Sequence, residues 1–275
     1  MSELSLAEQA VYSTVKLTAF KNGTAISTGT GFFYHFVNSE TSTCPAIVTN
    51  KHVVNGADQI LATCHIADKD KKPSGRFIDL KIPTSLATVN HPSSEIDLCA
   101  LMISPLLQDA INKGTPVFYV TLDKKLIPET DDWQFFDAIE NVTMIGCPNG
   151  ISDEANNLPI VRRGITASSL RRNYNNKPEF VVDMACFPGS SGSPIFILDQ
   201  SGYLDRKSNQ YLMGATRLNL IGILYAGPLI TNNGSIILAQ TPRIEVAAMM
   251  HLGNCIKATE LHAIDQLVES LSKNQ

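Results

Sequence analysis

Residues 187–194 read Phe-Pro-Gly-Ser-Ser-Gly-Ser-Pro, and this stretch decides the fold that we expect for the whole chain. Glycine permits backbone conformations that a side chain forbids, so a serine between glycines can sit in a sharp turn. Such a loop can direct the amides of Gly189 and Ser191 at one point, which is the geometry of an oxyanion hole. A flexible Gly/Ser linker is the competing interpretation. The apolar strands predicted at 181–184 and 195–197 leave no room for a linker.

A serine nucleophile also needs a base and an orienting acid, because an alcohol is a weak nucleophile at neutral pH. His52 follows an apolar strand predicted at 46–49, and Asp97 opens another at 98–103. Taken alone, each is a common structural or solvated residue. Together with Ser191 they give the order histidine, aspartate, serine, which is a much stronger signal than any one of them.

Short β-rich segments separated by turns make up most of the remaining chain, which favours an all-β fold. The segment 105–132 breaks the pattern and indicates the crossing between two strand sets. Helices are predicted at both ends: Ser5 and Glu8 have the spacing of a capping box. Near the other end, one helical face carries Leu261, Ile264, Leu267, Val268 and Leu271. The predicted strands lie at 11–20, 29–34, 46–49, 60–64, 80–82, 98–103, 142–145, 161–167, 180–184, 194–197, 220–225 and 235–240.

Composition excludes several classes of protein. The 275 residues are 44% hydrophobic and 17% charged with a net charge of −4, which excludes a disordered solvating chain. No run of five like charges occurs, so no nucleic acid partner is expected. No segment has the ~18–20 consecutive apolar residues of a membrane span. The length fits one large β fold, or two halves with an appendage.

The cysteines and the N-terminus predict a compartment. Six scattered cysteines show neither a CxxC pair nor a zinc-ligand spacing, and the first twenty residues lack the basic start and apolar core of a signal peptide. We therefore expect a soluble cytoplasmic protein with reduced thiols, no metal and no cofactor.

With these residues in place, the chain resembles the trypsin/chymotrypsin-fold serine proteases, most closely the HtrA-like bacterial branch without its PDZ domain. The resemblance extends from about Val11 to Pro242. It rests on seven stretches in order: 29–32, 49–54, 97–101, 145–150 with 163–166, 188–194, 221–223 and 239–242. It implies an all-β chymotrypsin-like double barrel, two six-stranded antiparallel β-barrels packed side by side with the active site between them. The expected division is 1–125 for the N-terminal helix and first barrel, 126–242 for the second barrel, and 243–275 for a C-terminal helical segment.

The resemblance also implies the roles of the site residues. Ser191 would be the nucleophile of a serine endopeptidase that works through an acyl-enzyme, His52 the general base and Asp97 the residue that orients the imidazole. The amides of Gly189 and Ser191 would form the oxyanion hole. The pocket for P1, the substrate residue before the scissile bond, would have Ala185 at its floor. Its wall would be Leu224, Tyr225, Ala226 and Gly227. Because the floor carries no acid, we expect a small or medium apolar P1.

Departures from the family pattern predict regulation. Ser190 stands where secreted relatives have the aspartate that pairs with a processed amine, so activation by such an amine is not expected. We expect a regulated enzyme with a protein or peptide substrate and an activating partner or ligand. The alternative is a catalytically silent protease fold that acts as a binding or scaffold module. An α/β-hydrolase esterase fits poorly, because position 193 is serine and only His251 and His262 follow Ser191.

Overall fold

The computed structural model describes residues 4–39, 42–227, 229–231 and 247–273. The strand predicted at 235–240 and the motif at 239–242 lie outside this part of the chain. Within it, no helix is long and apolar enough to cross a lipid bilayer.

The first half consists of an N-terminal helix, eight strands and three further short helices. The helices are α1 Leu6–Tyr12, α2 Lys51–Val54, α3 Thr84–Ala87 and α4 Ser104–Asn112. The strands are β1 Thr14–Lys21, β2 Thr24–Ser39, β3 Ser42–Thr49, β4 Gln59–Ala67, β5 Pro73–Pro83, β6 Thr88–Asn90, β7 Cys99–Met102 and β8 Val117–Phe118. The single turns Lys124–Leu126 and Asp132–Phe135 lead to the second half.

The α1 helix confirms the predicted capping box. Ser5 Oγ accepts from the Glu8 amide at 3.3 Å, and the Glu8 carboxylate accepts from the Ser5 amide at 2.8 Å. The helix continues through Tyr12, and Ser13 closes it by donating its amide to the Gln9 carbonyl. The strand predicted from Val11 therefore begins only at Thr14.

The first half forms an eight-stranded antiparallel sheet, and the closed six-stranded barrel predicted there is not confirmed. The strand order is β5-β4-β1-β2-β3-β7-β6, with β8 paired to β4, and the end strands β5 and β6 are not paired to each other. The chain goes directly from Pro83 at the end of β5 into the helical turn α3 and then into β6. Buried residues alternate along β4, so one face of the sheet carries the core.

The second half confirms the predicted barrel. Six strands close it in the order β10-β11-β18-β15-β12-β9. These strands are β9 Asn141–Gly146, β10 Ile160–Thr166, β11 Glu179–Asp183, β12 Pro194–Asp199, β15 Arg217–Ala226 and β18 Leu252–Lys257. Two small hairpins accompany them, β13 Gly202–Asp205 with β14 Gln210–Met213, and β16 Leu229–Thr231 with β17 Ala247–Met249. Single helical turns lie at Pro148–Gly150 and Ala258–Glu260, and helix α5 spans Leu261–Lys273.

The strand β18 changes the predicted division of the chain. It falls inside 243–275, which the sequence predicts to be helical, and it is paired on both sides, with β11 and β15. The barrel closes only through this strand, so it extends to Lys257 instead of ending at 242. The helical interpretation holds for α5 and for the single turn before it.

Three clusters of buried side chains hold the molecule together. One lies within the first half and one within the barrel. The third lies between the halves, where Phe32, Tyr34 and Phe36 of β2 meet barrel residues such as Phe196 and Ile223. The α5 helix belongs to this third cluster, which contains Leu261, Ile264 and Val268, whereas Leu271 is 49% exposed. The C-terminal helix thus fixes the two halves against each other.

Replacing Ile264 with alanine should lower the free energy of unfolding by about 2–5 kcal/mol, because the side chain is fully buried between the halves. The matched variant Leu271→Ala on the same helix should change it by less than about 0.5 kcal/mol. Urea unfolding of both variants measures the difference. Equal effects of the two substitutions would contradict this packing.

Candidate functional site

His52 and Asp97 are brought into direct contact. His52 Nδ1 lies 2.5 Å from Asp97 Oδ2, and the His52 amide donates to Asp97 Oδ1 at 3.1 Å. A carboxylate only accepts, so Nδ1 carries the proton and Nε2 is left as an acceptor. The His52 side chain is 48% exposed and that of Asp97 25%, so the free edge of the imidazole is open to solvent.

Two neighbours of His52 hold this pair together. Asn50 is fully buried and donates its side-chain amide to the Asp97 carbonyl at 2.7 Å. Lys51 Nζ donates to the carbonyls of His91 and Ser93, at 3.1 and 2.7 Å. The start of α2 is therefore tied to the loop that carries Asp97. A groove with about 1120 Å³ of open space lies beside the pair.

The carbonyl oxygens of residues 188–191, the loop around Ser191, are all hydrogen-bonded. The Pro188 carbonyl accepts from the Asn149 amide at 2.6 Å, and the Ser190 carbonyl accepts from the Ser193 amide at 3.0 Å. The Gly189 carbonyl accepts from the Thr30 hydroxyl, and the Ser191 carbonyl from the Thr30 amide, both at 2.9 Å.

Two amides of the same loop remain free. Within the described part of the chain, the Gly189 and Ser191 amides donate to no group. The N–H and C=O of a trans peptide point in opposite directions. Because Asn149 holds the Pro188 carbonyl on one side, the Gly189 amide faces the other. Two unused donors on one short loop are what an oxyanion hole requires.

Glycine is needed at two positions of this loop. Gly189 has φ +83° and Gly192 has φ +88°, in the left-handed region that side chains disfavour. A Cβ on Gly192 would lie 2.0 Å from the Thr30 carbonyl oxygen, and one on Gly189 would lie 2.9 Å from the Asn149 nitrogen. The glycines that point to this loop in the sequence are thus required by conformation and by space.

Tyr225 is hydrogen-bonded to Ser191 through its backbone and to Glu179 through its side chain. Its carbonyl accepts from Ser191 Oγ at 3.3 Å, and its phenol donates to Glu179 Oε2 at 2.8 Å. Burial raises the pKa of the phenol, as do the hydrogen bond and charge of Glu179 and the charge of Asp97. Ser191 and His52 are both described, and no hydrogen bond joins them.

The predicted pocket wall pairs with a strand that sequence reasoning missed. A Cβ on Gly253 of β18 would lie 2.5 Å from Cys186 Sγ and 2.6 Å from Leu224 Cδ1. A Cβ on Gly227 would lie 3.3 Å from the Leu252 carbonyl oxygen. Leu224 and Ala226 are paired with Cys255 and Asn254. Ala185 is half-buried directly before Cys186.

The predicted floor position, Ala185, carries no acid. Burial raises the pKa of the Cys186 thiol to about 11, so the thiol is neutral at pH 7. Charges of both signs lie nearby. The Arg162 guanidinium carbon lies 5.0 Å from the centroid of the Phe187 ring. On the pKa of Cys186, the charge of Arg162 opposes the effect of burial and the charge of Asp183 adds to it.

Thr30 is the second residue that sequence reasoning missed. It lies within the quoted stretch 29–32, but nothing local in the sequence distinguishes its hydroxyl from that of any other strand threonine, and only its distant partners reveal its role. Gly253 was missed because the family resemblance extends only to Pro242. The sequence feature that could have indicated Gly253 is a small residue in the run Leu252–Lys257, in which the buried Gly253 and Cys255 alternate with less buried neighbours.

Comparison with known proteins gives one family and several similar structures. A family model described as a trypsin-like peptidase domain matches residues 29–204. No curated protein sequence matches significantly. One similar solved structure is the inactive form of a serine-to-alanine mutant of Rv3671c from M. tuberculosis H37Rv. Its sequence is 12% identical to this chain, the TM-score is 0.48, and the match covers 96% of this chain and 90% of Rv3671c. Another is a serine endoprotease from Yersinia pestis, with 17% identity, a TM-score of 0.48, and a match that covers 98% of this chain and 68% of the endoprotease.

Gly192→Ala should destabilise the protein far more than Gly214→Ala. Both glycines have positive φ, at +88° and +73°, so both substitutions cost about 1–2 kcal/mol of backbone strain. A Cβ on Gly214 meets nothing within 4 Å, whereas one on Gly192 collides with the Thr30 carbonyl and the Thr49 hydroxyl. Thermal unfolding of the two variants measures the difference. Equal midpoints would contradict the described contact between loop and β2.

Proposed function

The chain belongs to the trypsin-like peptidase domain family and is a trypsin-like serine endopeptidase, and we propose that Ser191, His52 and Asp97 carry out the cleavage. The observation that carries this proposal is the pair of unused amides at Gly189 and Ser191, on a loop whose carbonyls are all engaged. The contact between His52 and Asp97 supports it independently.

In the proposed reaction, Ser191 Oγ attacks the carbonyl carbon of the scissile peptide bond and gives its proton to His52 Nε2. Asp97 stabilises the imidazolium through Nδ1. The negative charge on the substrate oxygen is bound by the amides of Gly189 and Ser191, each such donor contributing about 3–4 kcal/mol. His52 then protonates the leaving amine, which departs and leaves an acyl-enzyme. Water, deprotonated by His52, hydrolyses this ester and restores Ser191.

The first step requires a rotation of the serine side chain. Ser191 Oγ is hydrogen-bonded to the Tyr225 carbonyl at 3.3 Å, and it must turn to His52 before attack. Hydrogen bonds between nucleophile and base are often absent without substrate and form in the complex. Rotation about a single side-chain bond needs no movement of the backbone that presents the two amides.

For the substrate, we propose a small or medium apolar P1 residue, bound beside the half-buried residues Ala185, Tyr225, Ala226 and Gly227. The floor position, Ala185, carries no carboxylate, so a cationic P1 would be desolvated there without a charged partner at the floor. Leu224, which the sequence also predicts in the wall, is only 2% exposed and packs with Cys186 against Gly253 of β18 in the barrel core.

Ser191→Ala should abolish peptide cleavage and leave the fold intact, because it removes the nucleophile and one hydrogen bond to Tyr225. Ser201→Ala, at an exposed bend, is the matched control and should retain wild-type activity. Cleavage of a denatured protein substrate, with circular dichroism of each variant, measures both properties. Undiminished cleavage by folded Ser191→Ala would disprove the proposed nucleophile.

In a peptide library we expect cleavage after Ala, Val and Leu at a kcat/KM about tenfold or more above that after Lys or Arg. Gly227→Ala should reduce cleavage after Leu more than after Ala, because the added Cβ narrows the proposed wall and lies 3.9 Å from Cys186 Cβ, an ordinary contact. Rapid cleavage after Arg with none after apolar residues would contradict the proposed pocket. An unchanged Leu-to-Ala ratio in Gly227→Ala would place the pocket elsewhere.

A latent enzyme, as opposed to one that is active in isolation, is favoured by the Ser191–Tyr225 hydrogen bond. In the latent form, an activating partner or ligand would turn Ser191 Oγ from the Tyr225 carbonyl towards His52. A fluorophosphonate probe distinguishes an enzyme that is active in isolation from a latent one. Labelling of Ser191 in the purified chain indicates an active enzyme, and labelling only after addition of a cell extract indicates a latent one.

We place the activity in the cytoplasm. All six cysteines are unpaired thiols, and five of them are buried, which supports a reducing environment.

A further inference from the structure

We propose that Thr30 is a positioning residue for the oxyanion hole, acting from the first half of the molecule on a loop of the second. The inference rests on the proposed function of Ser191 and the Gly189 amide. Thr30 touches neither the substrate nor the reacting atoms. It acts through the backbone of the loop.

Thr30 is fully buried and uses every polar atom it has. Its hydroxyl donates to the Gly189 carbonyl and accepts from the Cys147 amide, both at 2.9 Å. Its amide donates to the Ser191 carbonyl at 2.9 Å, and its carbonyl accepts from the Thr49 hydroxyl at 2.7 Å. Two of the four loop carbonyls are therefore held by this one residue.

The Thr30 hydroxyl restrains the Gly189 peptide directly and through a neighbouring segment. It donates directly to the Gly189 carbonyl. It also accepts from the Cys147 amide, and Asn149, two residues later in the chain, donates its amide to the Pro188 carbonyl. The Pro188–Gly189 peptide carries the free Gly189 amide. It is therefore restrained at the Pro188 carbonyl by Asn149 and at the Gly189 carbonyl by Thr30, and both restraints depend on the Thr30 hydroxyl.

These hydrogen bonds matter because a glycine has little intrinsic resistance to rotation of its backbone dihedral angles. Gly189 can take several backbone conformations without steric cost. A flip of the Pro188–Gly189 peptide would replace the free N–H by a carbonyl oxygen, which repels an oxyanion. Hydrogen bonds from outside the loop are therefore needed to keep the donor in place before substrate arrives.

Thr30→Val tests the hydroxyl alone, because valine has nearly the same shape and suits a strand. We expect kcat to fall about tenfold to hundredfold, with KM within about threefold, since the loss affects the transition state more than substrate binding. Thr30→Ser keeps the hydroxyl and should restore kcat to within about threefold of wild type.

Thr166→Val is the matched control. Thr166 is also a buried threonine, whose hydroxyl accepts from the Glu140 amide at 2.9 Å and donates to the Ala138 carbonyl at 3.3 Å, at a place that contacts none of the loop residues. It should lose stability as Thr30→Val does but keep its kcat. A kcat for Thr30→Val within threefold of wild type, or an equal loss in Thr166→Val, would overturn the proposal.

Two further measurements test the inference if Thr30→Val does not fold or if the proposed function is wrong. If Thr30→Val does not fold, Thr30→Ser decides: retained kcat supports the role of the hydroxyl, and a tenfold loss overturns it. If the wild type cleaves no peptide, the proposed function fails, but the NMR signal of the Gly189 amide still tests Thr30. A shift of that signal in Thr30→Val and not in Thr166→Val supports the inference, and an unmoved signal overturns it.

Discussion

Four hydrogen bonds to the carbonyl oxygens of residues 188–191 organise the site. They come from Asn149, Ser193 and, twice, Thr30. With the carbonyls occupied, the amides of Gly189 and Ser191 are the unused backbone donors of residues 188–191 within the described part of the chain. Donors fixed in this way stabilise a developing negative charge without reorganising, which is the main physical requirement of acyl transfer.

The same contacts explain why the two halves must be packed together. The first half supplies His52 and Asp97, and the barrel supplies Ser191 and the free amides. The β2 strand joins them: Thr30 bonds to the loop, and a Cβ on its neighbour Gly29 would lie 2.5 Å from Val53 in the histidine helix. The shared core, with Phe32 and α5, prevents these elements from separating.

Sequence reasoning recovered what is local. The capping box of α1, the buried face of α5 and the glycines of the Ser191 loop are visible as patterns of a few residues, whereas the barrel of the second half was implied by the family resemblance. The contact between His52 and Asp97 followed from the family resemblance, and the family membership itself is confirmed.

What the sequence did not reveal depends on partners far away in the chain. In the sheet of the first half, β5 and β6 are the end strands and are not paired, although only the turn α3 lies between them in the chain. A strand pattern alone does not predict which strands pair across a sheet. The β18 strand was missed because Leu252–Lys257 is short and lies inside the segment 243–275, which the sequence predicts to be helical. Thr30 was missed because a threonine in a strand has no local feature that indicates a partner 159 residues away at Gly189.

The central claim is that the Gly189 and Ser191 amides receive the oxyanion while Ser191 forms the covalent bond. A crystal structure with a peptide boronic acid tests it most directly, because the bound boronate has the shape and charge of the tetrahedral intermediate. We predict a bond from Ser191 Oγ to boron, with one boronate oxygen within hydrogen-bond distance of both amides and the Pro188 carbonyl still bound to Asn149. A boronate oxygen away from the two amides, or a flipped Pro188–Gly189 peptide, would contradict the account.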